Sequence, residues 1–145
     1  MITIHGKRLK GLGHASHNLA IQLPLIIQEF PEIADCRPGT INVQFERPLL
    51  VLTPDHRTRP IPWKQGPEFG EGEIFEFLRI QVELPTGAVR AWLYLSHITP
   101  HRADPRVHEI VAPELNLETE QEISIHIARP AFQLPYLQFP AVVVL

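Results

Sequence analysis

The chain has 145 residues, 15 of them proline and 8 glycine, and a formal net charge of −3. Proline stands at about twice its usual ~5% share, and each one fixes φ and removes a backbone donor, which excludes a helical bundle and a coiled coil. The charge balance gives no basic excess for a nucleic-acid surface, and no apolar run approaches the ~20 residues of a membrane span.

Hydrophobic residues make up 44% and charged residues 20%, the balance of a globular chain long enough for one real core. The N-terminal stretch Met1–Lys10 carries Lys7, Arg8 and Lys10 with no apolar signal core behind them, so a cytoplasmic protein is expected. The single cysteine, Cys36, has no partner for an internal disulfide and fits a reducing compartment.

In chain order, Ile2, Ile4 and Arg8–Lys10 read as a first strand that ends at Gly11-Leu12-Gly13. Over Asn18–Phe30, Leu19, Leu23, Ile26, Ile27 and Phe30 recur at helical spacing. Pro24 lies inside that stretch, so the pattern predicts either a helix that starts near Leu23, with Pro24 at its first position, or two short pieces that meet there. Pro31 closes it. Thr40–Phe45 alternates as a strand, and Leu49–Leu52 is a short apolar run between Pro48 and Pro54. Residues 54–72 hold four prolines around Trp63, a long irregular excursion of the kind that is usually functional or mobile. Glu73–Leu84 and Ala88–Ile98, joined by Pro85-Thr86-Gly87, form the most secure element, a β-hairpin. Glu122–Ala128 and Ala141–Leu145 complete five or six strands. The economical architecture is a small, mainly β barrel with one short helix over an opening and long proline-rich loops. Closing the barrel also removes unpaired edges.

Three constellations could carry chemistry. Gly11-Leu12-Gly13-His14-Ala15-Ser16 follows a strand, and glycines with successive amides can cradle a phosphate. The loop lacks the Gly-Lys-Ser/Thr of a Walker loop and the third glycine of a dinucleotide fingerprint, so taken alone it fits a plain strand-to-helix turn. In the second, Thr40 and Asn42 stand at i and i+2 on a strand and share a face. Their neutral oxygens suit magnesium if a ligand's phosphates add charge, although a Pro-Gly turn opening an ordinary strand explains the same residues. The third runs from Ser96 through Thr99-Pro100-His101 to Asp104 and on to Glu109-Ile110-Val111-Ala112-Pro113, dense in hydroxyl, imidazole and carboxylate. His97 and His101 lack the further ligand and rigid spacing of a zinc set. Trp63 and Trp92 read as core or loop anchors.

Gly11-Leu12-Gly13, Pro38-Gly39-Thr40-Ile41-Asn42, Thr99-Pro100-His101 and Glu109-Ile110-Val111-Ala112-Pro113, in this order over residues 1–127, resemble the archaeal CTP-dependent riboflavin kinases. The resemblance implies a six-stranded cradle-loop barrel over residues 1–128 that converts riboflavin to FMN with CTP as phosphate donor. Carried over by position, Gly11, Leu12, Gly13, His14, Ala15 and Ser16 would contact the nucleotide. Thr40 and Asn42 would ligate magnesium, and Thr99, His101 and Glu109 would contact the flavin. Two departures stand out: His14-Ala15-Ser16-His17 replaces the usual continuation of the glycine loop, and the segment after Pro113 is short, with no arginine between Arg106 and Arg129. Arg102 and Arg106 are the nearest substitutes for that cation. Residues 129–145 extend past the family's barrel as an apolar tail expected to pack on the barrel or a partner, and copies of the chain could associate through it. The competing readings are a non-catalytic flavin- or nucleotide-binding barrel and a protein-interaction module.

Overall fold

A computed structural model describes residues 2–10, 14–98, 104–127, 132–133, 138–139 and 141–145, with the backbone alone for 14–16, 132–133 and 138–139. Strand β1 (Ile2–Leu9) leads to helix α1 (His14–Ile27), followed by β2 (Ile41–Phe45), β3 (Leu49–Val51) and β4 (His56–Arg57). The long hairpin is β5 (Phe75–Leu84) and β6 (Gly87–Ser96); β7 (Val107–Val111) and β8 (Glu122–Ile127) come next. The short strands β9 (Phe132–Gln133), β10 (Gln138–Phe139) and β11 (Val142–Val144) end the chain.

Strands β5, β6, β7, β2, β1 and β8 pair in that order, and β8 pairs back onto β5 through Val82↔Ile125, closing a six-stranded antiparallel barrel. Alternation sends one set of side chains inward: Val43, Phe45, Leu78, Ile80, Leu93, Ile110 and Ile125 fill the interior. One end of the barrel is covered by the segment after β7, where Leu117 joins the core and its carbonyl accepts a hydrogen bond from Arg8 Nη1. Of the stretch after residue 128, Ala141 and Val142 belong to the barrel core, and β11 pairs with β3 through Val142↔Val51.

The helix differs from expectation in two ways. It covers the outer face of the barrel wall rather than an opening. The interior is already full, whereas Phe75, Phe77, Trp92, Tyr94 and Val111 point outward from β5, β6 and β7 and need cover. Leu19, Leu23 and Ile26, one stripe at helical spacing, supply it. The helix also runs unbroken through Pro24. Proline removes one helical hydrogen bond, but Ala20 and Pro24 both lie on the exposed side, so the carbonyl left without a partner is open to water.

The 54–72 excursion is stitched onto β5. Thr58 exchanges bonds with Phe75, its backbone N–H donating to the Phe75 carbonyl (2.9 Å) and its Oγ1 accepting from Phe75 N (3.0 Å). Ile61 bridges Glu73, and Trp63 and Phe69 are buried beside the helix stripe. Gly72, at φ +137°, makes this approach, because a Cβ there would lie 2.5 Å from the Ile61 carbonyl carbon.

Ile26 is fully buried in the contact between helix and wall. Ile26→Ala is expected to cost about 2–5 kcal/mol, read as a lower guanidinium midpoint at unchanged slope.

Candidate functional site

Strand register puts Asn42 opposite Glu109, Glu109 opposite Tyr94 and Tyr94 opposite Phe77. Residues directly opposite in antiparallel strands share a face, so these four form one row across β2, β7, β6 and β5. Phe77 and Tyr94 belong to the cluster beneath α1, which places the row on the outer wall. Thr40, one residue before β2, reaches the same row: its Oγ1 donates to Glu109 Oε1 at 3.3 Å, across 69 residues of sequence. Glu109 is 3% exposed.

The structure thus brings Thr40, Asn42 and Glu109 together. Gly11, Leu12, Gly13, Thr99 and His101 lie outside the described residues. His14, Ala15 and Ser16 form the first turn of α1. The chain leaves β1 just past Leu9, which pairs with Asn42, and leaves β6 past Ser96. Because β1 is antiparallel to β2, β2 to β7 and β7 to β6, the chain leaves β1 on one side of the row and β6 on the other. Arg106 chelates Asp104 through Nε (3.2 Å) and Nη2 (2.9 Å), which holds the Asp104 carboxyl well below its ordinary range. It is already neutralised and makes a poor substitute for the missing cation.

No family model matches the chain, and no curated protein matches it.

Three buried polar residues, Tyr94 in the row and Gln22 and Glu73 beside it, escaped the sequence reading. The Tyr94 hydroxyl donates to Gln22 Oε1 at 2.7 Å, and Gln22, on the apolar stripe of α1, is 1% exposed. Glu73 is fully buried and accepts from Trp63 Nε1 (2.9 Å) and from the Ile98 backbone N–H (2.7 Å). The available signals were single polar residues within apolar patterns: Gln22 between Leu19 and Leu23, and Glu73 at the mouth of an alternating strand. Burial, followed by the nearby Glu109 and Glu73 carboxylates, raises the Tyr94 phenol above its ordinary value near 10. It therefore stays a neutral donor at physiological pH. Burial, with Asp35 beside it, likewise pushes the Cys36 thiol up to about 12, so Cys36 is protonated and a poor nucleophile.

A cavity of about 750 Å³ lies on a different part of the wall, lined by Gly6, Phe45, Glu83, Arg106, Glu122 and Ser124 among others, and touches neither Thr40, Asn42 nor Glu109. Among the described residues no three His, Cys, Asp or Glu side chains converge as a metal set. A cation at the row would therefore meet one carboxylate, one hydroxyl and one carboxamide. All three donors are oxygen, which fits a hard divalent ion that completes its shell with water and phosphate.

Since the folded state keeps the Tyr94 phenol protonated while the unfolded chain ionises it near pH 10, its contribution is complete below pH 10 and is lost above. Stability is expected to fall by up to about 1.4 kcal/mol per pH unit above pH 10 from this group. Tyr94→Phe should remove that part of the slope in denaturant melts between pH 8 and 11.

Proposed function

We propose that the chain is a riboflavin kinase-like phosphotransferase that moves the terminal phosphoryl group of CTP, or of another nucleoside triphosphate, onto riboflavin to give FMN with the help of magnesium. The observation that carries this reading is the contact of Thr40 with Glu109 in the row that also holds Asn42. Residues assigned separately to the metal and to the flavin by the family resemblance meet at one point of the wall. The closed six-stranded barrel is the architecture that the resemblance implies. The row also stands between the departures of the chain toward the glycine loop and toward Thr99. That order suits a transfer in which donor and acceptor approach from two sides.

In this reading the ribityl oxygen bonds to the terminal phosphorus as the bond to the nucleoside diphosphate breaks, and the hydroxyl proton is released. Thr40 and Asn42 would hold magnesium, which would neutralise charge on the phosphates, and the Glu109 carboxylate, the flavin contact of the resemblance, would stand close enough to reach that ion as well. Thr40 and Asn42 orient neutral oxygens without adding negative charge that would repel the nucleotide, and the wall beneath them keeps those oxygens fixed. The chain's own work is positioning. A nucleoside triphosphate donor would be met in the cytoplasm; no described helix is long and apolar enough to cross a membrane. Thr40, Asn42 and Glu109 come from one chain.

The test is incubation with riboflavin, magnesium and each nucleoside triphosphate in turn, with FMN read by chromatography. FMN formation with at least one donor is expected. Asn42→Ala should lower turnover by about 10²-fold and raise the magnesium concentration needed, while melting close to the unsubstituted chain. Flavin binding without FMN from any donor would establish a non-catalytic flavin-binding barrel instead, and absence of both would reject the reading.

A further inference from the structure

Helix α1 seats an apolar stripe on an aromatic wall, and such a contact is tolerant of small slides, because hydrophobic burial is non-directional. Among the described residues a directional bond interrupts it. Gln22, 1% exposed and flanked by the buried Leu19, Leu23 and Ile26, accepts the Tyr94 hydroxyl at 2.7 Å. Tyr94 in turn stands directly opposite Glu109, which stands opposite Asn42. An apolar residue at position 22 would pack without any requirement for a partner, whereas a buried carboxamide is tolerated only where its partner is in place. Helix and wall can therefore satisfy this pair in one register alone. The helix whose first turn carries His14, Ala15 and Ser16 is thereby tied to the row that carries the oxygen donors.

We propose that Gln22 and Tyr94 are positioning residues: their buried hydrogen bond sets where α1 sits along the wall and so where its first turn stands relative to Asn42 and Glu109. The proposal rests on the kinase reading and adds to it the elements that align the nucleotide end of the site with the metal end. Neither residue touches substrate.

A three-variant comparison tests it. Tyr94→Phe leaves the Gln22 oxygen buried without its donor, and should lower both the melting temperature and kcat/KM for the nucleotide, the latter by about tenfold. Gln22→Leu alone should have a similar effect on kcat/KM. The double variant Gln22→Leu/Tyr94→Phe removes both partners of this bond, a change that can be nearly neutral for stability, and frees only the half-buried Ser96 hydroxyl, which also bonds the Tyr94 phenol and can turn to water, so it should melt close to the unsubstituted chain. A bond that only stabilises the fold would then return kcat/KM along with the melting temperature. A bond that sets register would not, because two apolar groups restore burial without restoring alignment. Titration of CDP by calorimetry gives a second readout that needs no turnover, and its affinity should follow kcat/KM across the three variants. Recovery of kcat/KM and CDP affinity in the double variant, or unchanged values in Tyr94→Phe, would overturn the positioning role while leaving the kinase reading intact. An unsubstituted chain that forms no FMN and takes up no CDP overturns the kinase reading and this role together.

Discussion

Strand β7 is buried on both faces, and the arrangement of the site follows from that. Its inward residues, His108 and Ile110, point into the barrel, and its outward residues, Glu109 and Val111, lie on the covered wall. A strand of an antiparallel sheet usually has one face to spend on water. Here closure takes one face and the helix with the 54–72 excursion takes the other. A carboxylate in that position must find partners within the protein, and Thr40 is one of them. The meeting of Thr40, Asn42 and Glu109 is thus a consequence of covering a closed barrel.

The same covered wall explains where the other polar groups sit. Glu73 serves Trp63 and Ile98, and Gln22 serves Tyr94. Each link joins two different elements: the excursion to the hairpin, or the helix to β6. Burial of such groups costs stability relative to apolar side chains of similar size unless every partner is in place. What they contribute is geometry, since they hold in one alignment a contact between apolar surfaces that would otherwise slide. The aromatic contacts carry the cohesion, with Phe30 edge-on to Trp92 and stacked on His56. The polar links select the alignment.

Local patterns exposed the parts of this arrangement that depend on neighbours in sequence. The period-2 alternation of β5 and β6 announces the hairpin, and the spacing of Thr40 and Asn42 announces their shared face. The β7 strand was illegible because His108-Glu109 reads as polar on both faces, although both residues are buried. Helix α1 was misread at Pro24 because the sequence does not say that Ala20 and Pro24 face water. The proximity of Thr40 and Glu109 spans 69 residues and depends on barrel closure, which no local window contains. The irregular excursion offered no periodicity, yet Ile61, Trp63 and Phe69 are buried, so its order comes from tertiary contacts alone.

Charge balance around the row bears on what it could bind. Among the described residues Arg106 is engaged with Asp104 and Arg37 with Glu114 at 3.3 Å, and Arg102 lies outside the described residues. Glu109 contributes the one carboxylate among the three donors. A bare divalent cation would gain little from one carboxylate and two neutral oxygens, because magnesium gives up its water reluctantly. A cation that arrives with a polyphosphate brings its own anionic ligands and needs the protein only for orientation. On the kinase reading the row is therefore matched to a magnesium–nucleotide complex better than to the free ion, and riboflavin, which carries no phosphate, would not by itself recruit the metal. On that reading the scarcity of charge at Thr40, Asn42 and Glu109 would favour a nucleotide-bound metal over a resident one.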